Sequence, residues 1–492
     1  MTTIDVTDWG LSGVLDGVPT GCFIGGVWGP SSDSSVIDVY DPASERLLTS
    51  VANGTIDDAL RAVDAAATAM PAWSATPPRA RAEILRKAFE IMTARADQFA
   101  RLIVLENGKA LPDARGEVAY AAEFFRWYAE EAVRNVGEIM TAPSGSNKIM
   151  VTHQPVGVAL LITPWNFPAA MLTRKIGPAL AAGCSVVCKP ASETPLTALL
   201  IAKVLEDAGV PAGVVNVVAS SRSSTFAKAA LADPRVRKLS FTGSTEVGRA
   251  LLSTASETIV NCSMELGGNA PFLVFDDADL DAAIAGAMIA KMRNGGEACT
   301  AANRFYVQRG IADAFASRLA AAMSDLRVGH GLDDGTQVGP LVNAASRDKV
   351  SELVADAIEG GARALTGGSA AAGTGYFYPP TVLTDVRPDS DVLTNEIFGP
   401  VAPIVVFDTE DEAVELANNT EYGLVSYLYT GDFKRGLRVA DRLDSGMIGF
   451  NQGIVSDPAA PFGGTKQSGI GREGGHQGML EYLEPKYVAV AW

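Results

Sequence analysis

What most limits the fold of this chain is a rhythm in its middle: short apolar runs separated by helix-length stretches. Val158–Thr163 reads VALLIT, Ser185–Lys189 reads SVVCK, Val214–Val218 reads VVNVV and Lys238–Phe241 reads KLSF. A helix-like stretch ending at Gly183 separates the first two runs. Thr194-Pro195 is a good helix start and Gly209 a good stop before the third. Apolar strands that alternate with helices mean βαβ units and a parallel sheet buried on both faces. The right-handed crossover rule makes that sheet doubly wound. A second α/β pattern starts at Ala270–Phe275 (APFLVF) and continues through Phe305–Gln308, Val401–Phe407 and Val425–Tyr429, with helices of the type at 312–325 and 347–359 between. The expected class is α/β, with two doubly wound parallel-sheet domains.

With 492 residues the chain is too long for one hydrophobic core, and 47% hydrophobic against 20% charged residues is the balance of a globular protein. Ahead of the strands, Thr55 can cap a helix with Asp57 and Asp58 in its first turn. Pro77-Pro78 precedes a second helix, and a third, with Val118, Ala122, Phe125 and Ala129, is expected after Gly116. Segment 141–150 is rich in Ser, Gly and Pro and reads as a loop or excursion. Tyr487–Trp492 alternates weakly and can form an edge strand that pairs with another subunit.

The formal net charge of −17 argues against nucleic acid and anionic membranes as partners. An anionic substrate would then need local positive charge. The five cysteines are odd in number and scattered, which fits reduced thiols rather than a disulfide framework. None of the three histidines stands at zinc-ligand spacing, so no metal site is expected. Met1–Gly10 has no basic residue before an apolar run and does not read as a signal peptide, which makes the cytoplasm the expected location.

Four short segments carry chemistry. Phe241–Gly248 (FTGSTEVG) turns from a strand into a helix, where glycines and free N–H groups can meet a phosphate. Cys299 follows Gly295 and Gly296 in Asn294–Thr300 (NGGEACT); the other four cysteines have apolar or strand-like neighbours. A lone cysteine is by default a small buried hydrophobe, but paired glycines permit the close approach that a reactive thiol needs. Glu265, in Met264–Ala270 (MELGGNA), is a solvated loop charge or a general base whose pKa burial raises. Asn166, in Thr163–Pro168 (TPWNFP), is a turn asparagine or an amide donor to an oxyanion.

TPWNFP, CKPASETP (Cys188–Pro195), FTGSTEVG, MELGG, GGEACT and NEIFGP (Asn395–Pro400), in this order and spacing, resemble the aldehyde dehydrogenase superfamily from about residue 20 to the end. The resemblance implies a dinucleotide-binding domain (1–135 and 155–266), a catalytic domain (267–470) and a small β oligomerisation arm (136–154 and 471–492), with assembly into a homodimer or homotetramer. It implies that Cys299 attacks an aldehyde, that Asn166 and the Cys299 N–H hold the oxyanion, and that Glu265 activates the water that hydrolyses the thioester. Glu265 favours water over coenzyme A as acyl acceptor. Lys189 and Glu396 would bind cofactor ribose hydroxyls, Gly243 and Ser244 the pyrophosphate, and Phe398 would pack beside the nicotinamide ribose. Trp165, Leu266 and Ser192 complete the expected cofactor contacts.

Many NAD-specific members carry Glu three residues after the motif lysine. Here that residue is Ser192, with Glu193 one later, so NADP is expected in preference to NAD. Arg174, Arg293 and Ser456 match the carboxylate-binding set of succinate-semialdehyde dehydrogenases. Two guanidiniums and a hydroxyl suit a short-chain carboxylate, so succinate semialdehyde is the expected substrate and glutarate semialdehyde the next. The alternatives are a neutral or aromatic aldehyde, or a non-catalytic member with a structural or binding role. Ala301 stands where some members have a second cysteine, so redox control by that pair is not available.

Overall fold

A computed structural model describes residues 13–491, so the expectation about Met1–Gly10 lies outside the described residues, as does Trp492, the last residue of the expected edge strand. The first sheet is built on five parallel strands: β1 (Val158–Ile162), β2 (Val186–Lys189), β3 (Val215–Val217), β4 (Val236–Thr242) and β5 (Asn261–Glu265). Their order is β3-β2-β1-β4-β5, with an antiparallel hairpin, Cys22–Ile24 and Val27–Gly29, beyond β3 and a short antiparallel strand, Gly469–Ile470, beyond β5. Side chains of a strand alternate between faces. Accordingly Val158, Leu160 and Ile162 enter one apolar core while Ala159 and Leu161 enter another. Both faces are covered, which is why β1 is wholly apolar. β4 and β5 do alternate, and their buried polar side chains pair with one another, Lys238 Nζ donating to Asn261 Oδ1 at 2.7 Å and to Ser263 Oγ at 2.5 Å.

The second sheet contains β6 (Ala270–Val274), β7 (Ala302–Gln308), β8 (Arg363–Thr366), β9 (Thr381–Thr384), β10 (Val401–Phe407), β11 (Val425–Tyr429) and β12 (Met447–Phe450). The order is β8-β9-β10-β7-β6-β11-β12, parallel except where β8 meets β9. Two parallel-sheet units flanked by helices are the α/β class that the apolar runs predict. Among the described residues no helix is long and apolar enough to cross a membrane.

The amino-terminal helices follow the capping rules. Thr55 caps Ile56–Ser74: its Oγ1 accepts the Asp58 N–H at 3.3 Å, and the Asp58 carboxylate accepts the Thr55 N–H at 3.0 Å. Two expectations need correction. Gly116 does not precede the third helix but lies inside Leu111–Glu131, and a further helix, Ala96–Asn107, comes before it. Glycine costs a helix roughly 1 kcal/mol. Burying Ala114, Val118, Ala121 and Phe125 on one face outweighs that cost. Segment 141–150 is not all loop: Glu138–Thr141 and Asn147–Pro155 form a hairpin. Its second strand pairs along its full length with Leu483–Ala491, from Pro155↔Leu483 to Asn147↔Ala491. The partner comes from the far end of the chain, so local composition cannot reveal it. Leu483–Ala491 is the outer strand of this small third sheet, and its other edge has no partner strand among the described residues.

Candidate active site

In an open parallel sheet, ligands gather where neighbouring strands send their connections to opposite faces. Here that point lies between β1 and β4. The residues after β1, Pro164 to Asn166, and those ending β4, Thr242 to Ser244, line one cavity of about 230 Å³. Leu266, Gly267, Cys299, Glu396, Ile397 and Phe398 line the same cavity. Ser244 caps the 12-residue helix Thr245–Ser256, its hydroxyl accepting the Val247 N–H at 3.4 Å, so a helix amino terminus opens here. At Gly243 a Cβ would strike the Phe241 ring, and at Gly267 it would lie 3.4 Å from Glu396 Oε2. Burial pushes the Glu396 carboxyl up to about 7, while the Gly268 N–H, donating to Oε1 at 3.1 Å, works against that rise. A glycine-walled cleft, a helix terminus and a buried acceptor fit a dinucleotide.

Cys299 reaches this cavity through an unusual approach. Asn294, Gly295 and Gly296 are consecutively left-handed, at φ 55°, 59° and 82°. Asparagine tolerates that region and glycine enters it freely. A Cβ on Gly296 would strike the Gly399 carbonyl, and one on Gly268 the Cys299 carbonyl. The thiol loop therefore sits directly against the two glycine-bearing segments MELGG and NEIFGP. Tyr427 Oη fixes its far end, donating to the Thr300 carbonyl at 2.9 Å. Burial pushes the Cys299 thiol up to about 12; Arg174 and Arg293 pull it down, and Glu396 and Glu265 push it further up.

Asn166 is buried, and its Nδ2 donates to the Glu297 carbonyl at 3.1 Å. An amide nitrogen carries two hydrogens, so one remains for a ligand. Glu265 ends β5, in register with Thr242, and its Oε1 lies 2.8 Å from where a Cβ on Gly463 would be. Its other oxygen is buried with no hydrogen-bond partner among the described residues. Burial and Glu473 hold the Glu265 carboxyl well above the usual range, against the pull of Arg174, Lys175 and Arg472. A raised carboxyl near a thiol has the character of a general base. Glu265 is not itself in the cavity wall, whereas its neighbour Leu266 is.

The three residues expected to bind a carboxylate are not equivalent. Arg293 Nη1 donates to Ser456 Oγ at 3.2 Å, and both line a second cavity of about 530 Å³ with Tyr120, Phe167, Met288 and Met292. The Arg293 guanidinium lies 4.9 Å from the Phe167 ring centre. Arg174 is only 1% exposed. Its Nε lies 2.5 Å from Glu473 Oε2, a charge contact rather than an aligned hydrogen bond, and its guanidinium lies 4.2 Å from the centre of the Phe462 ring. Glu473 also meets Lys175 Nζ at 2.5 Å. Arg174 still acts electrostatically on Tyr120, which lines the second cavity, and on the Cys299 thiol.

Of the other expected cofactor residues, Trp165 and Phe398 meet edge to face with ring centres 5.5 Å apart, Phe398 itself being left-handed at φ 57°. Burial lowers the Lys189 amine to about 8, against the opposing effect of Glu193. Ser192 lines a separate groove with Asp38, Glu45, Glu106 and Glu193, and its hydroxyl donates to Glu193 Oε2 at 3.2 Å. Among the described residues there is no cluster of three or more His, Cys, Asp or Glu able to hold a metal. The sequence reading missed Lys109, Glu117, Asn294 and Glu473. Each is a charged or amide residue whose burial is set by distant segments; Asn294 opens the NGGEACT segment, and no local pattern marks the other three.

The family model for the aldehyde dehydrogenase family matches residues 28–488. A succinate-semialdehyde dehydrogenase of Paenarthrobacter nicotinovorans is 57% identical over 445 residues, covering 90% of this chain and 99% of that protein. The NADP(+) succinate-semialdehyde dehydrogenase GabD of Escherichia coli is 48% identical, over 95% of this chain and 97% of that protein. The crystal structure of succinate-semialdehyde dehydrogenase from Burkholderia pseudomallei superposes with a TM-score of 0.95 at 48% identity, over 96% of this chain and 98% of that one.

Proposed function

Because the chain belongs to the aldehyde dehydrogenase family, we propose that it oxidises succinate semialdehyde, and glutarate semialdehyde next best, to the dicarboxylate with NADP+ preferred over NAD+. The single observation that carries the chemistry is the shared cavity, which Cys299 and Asn166 line together with Gly243 and Gly267.

In this reading Cys299 loses its proton to solvent and the thiolate attacks the aldehyde carbon. The free N–H of the Asn166 amide and the Cys299 backbone N–H receive the oxyanion, each such donor contributing about 3–4 kcal/mol to the transition state. Bound NAD(P)+ supplies the acceptor for the hydride that leaves the thiohemiacetal carbon, which becomes a Cys299 thioester. Gly243, Ser244 and the helix terminus behind them would hold the pyrophosphate, and Lys189 and Glu396 the ribose hydroxyls. Trp165, Leu266 and Phe398 would pack against the cofactor. Glu265, its carboxyl raised by burial, then takes a proton from water, and the hydroxide cleaves the thioester to release the acid and the Cys299 thiolate.

What supports an acid-aldehyde is the Arg293–Ser456 pair in the second cavity, with Arg174 adding positive potential at Tyr120. One methylene changes discrimination by only about 1–3 kcal/mol, which leaves room for glutarate semialdehyde. Ser192, in place of a carboxylate, supports NADP+. One observation favours a second reading, NAD+: the Ser192 hydroxyl is engaged by Glu193 in a groove that also holds Asp38, Glu45 and Glu106, carboxylates that a 2′-phosphate would meet. Measuring kcat/KM for succinate semialdehyde and for butanal with each cofactor tests both points. Higher values with succinate semialdehyde and with NADP+ are expected; butanal equal or better refutes the substrate, and a large NAD+ preference refutes the cofactor.

A further inference from the structure

Of the groups that hold Asn166 from behind, Glu117 lines the second cavity, whereas Glu106, Asn107 and Lys109 line neither of the two. Helix Ala96–Asn107 stops at Gly108, left-handed at φ 95°, and the residues Glu106–Lys109 (ENGK) then reach three other segments. Glu106 accepts the N–H groups of Leu196 and Thr197, each at 2.8 Å. Asn107 Nδ2 donates to the Trp165 carbonyl at 3.1 Å. Lys109 Nζ donates to the Asn166 carbonyl at 2.7 Å and to Glu117 Oε2 at 2.6 Å. The side chains of Lys109 and Glu117 are fully buried. Glu117 uses its second oxygen to accept the N–H groups of Ala169 at 2.8 Å and Ala170 at 3.2 Å.

One buried ion pair thus grips the turn between β1 and the next helix at both ends, Asn166 on one side and Ala169-Ala170 on the other. Asn294 Nδ2 adds a second donor to the Asn166 carbonyl at 2.9 Å. A buried ion pair adds little net stability over a well-packed apolar pair, so stability is a poor account of its presence. Geometry is a better one. The ammonium has three donors and no preferred plane, and its position is set here by Glu117, the Asn166 carbonyl and the Phe167 ring, whose centre lies 4.2 Å away. With its carbonyl held, the Asn166 peptide cannot rotate without breaking a charge-assisted bond, and the direction of its side-chain amide follows.

We infer that Lys109, anchored by Glu117, is a positioning residue that aims the Asn166 amide into the Cys299 cavity. The inference rests on the oxyanion role proposed for Asn166. The experiment is a double-mutant cycle between positions 109 and 166. It is read by single-turnover formation of reduced cofactor from propanal, so the outcome does not depend on the carboxylate reading. Lys109→Met is expected to slow that step about 10- to 100-fold, with KM for propanal changing less than about threefold. Asn166→Ala alone is expected to slow it about 100-fold or more. Adding Lys109→Met to Asn166→Ala should cost less than about threefold more, because the aimed group is already gone. Where Lys109→Met is not folded, Lys109→Arg, which keeps a cation opposite Glu117, carries the same cycle. Equal losses in the two backgrounds, or a wild-type rate in the position-109 variant, overturn the inference alone. A wild-type rate in Asn166→Ala overturns the oxyanion reading and the inference with it.

Discussion

Replacing Arg293 with methionine isolates the contribution of its charge to substrate choice. Methionine keeps an unbranched stem against the Phe167 ring, so little packing is lost and the change is close to removal of the guanidinium alone. A hydrogen bond to a charged partner contributes about 1.5–3 kcal/mol. Arg293 is half-buried at the edge of an open cavity, so solvent screening favours the lower part of that range, about 1.5–2 kcal/mol. At 1.4 kcal/mol per factor of ten, kcat/KM for succinate semialdehyde should fall about 10- to 30-fold. Butanal has the same chain length and no carboxylate, and its kcat/KM should change less than about threefold. Ser456→Ala should lower the acid value about 2- to 10-fold, and the two changes should be less than additive because the two side chains share a hydrogen bond of 3.2 Å. The assay is initial-rate kinetics on both aldehydes at fixed saturating cofactor and two ionic strengths. Parallel losses on both aldehydes would refute the carboxylate role of Arg293. Arg174 is a poor substitute in this test, since its removal strips a buried partner from Glu473, a change of the kind that costs about 3–5 kcal/mol of stability whatever the substrate.

Three further outcomes are expected. The Cys299 thiol is pushed up to about 12 in the ligand-free protein, so its alkylation by iodoacetamide, followed by mass spectrometry, should rise about tenfold per pH unit from pH 7 to 10; a plateau below pH 8 contradicts this. Gly268→Ala places a Cβ against the Cys299 carbonyl and 3.4 Å from the Leu424 side chain, and should lower kcat about 10- to 100-fold; an unchanged kcat would show that the thiol loop is not held there. Burial raises Glu297 to about 8, so the native state holds a proton that the unfolded chain releases near pH 4.3, and the wild type loses stability as pH rises through that interval. Glu297→Gln has no such proton to hold; its Tm advantage should grow from pH 5 to pH 8 and then level off, and a pH-independent difference between the two proteins would be evidence against this linkage.

The parts of the fold legible beforehand were those whose cause is local. Apolar runs such as VALLIT show both faces of a strand buried, because no polar residue interrupts them, and the Thr55 capping box lies within four consecutive residues. Local composition misplaces the helix containing Gly116 and reads 141–150 as loop, because each draws its stability from remote partners that outweigh local propensity, whereas the resemblance already puts 136–154 in a β arm with the C-terminal strand. The same division holds at the site. Cys299, Asn166, Gly243 and Glu396 belong to short motifs with their own turn chemistry, and they meet at one cavity. Lys109 and Glu473 sit in segments with no such mark, and only folding turns them into buried charges.

The order of residues along the chain determined the class of fold, the motif residues and the acidic balance that makes local arginines informative. Tertiary structure alone decided that Arg293 meets Ser456 while Arg174 is committed to Glu473, and that Lys109 grips Asn166. The reason is physical: propensities and turns act within a few residues, whereas the cost of burying a charge is offset only by a partner that the fold brings from elsewhere.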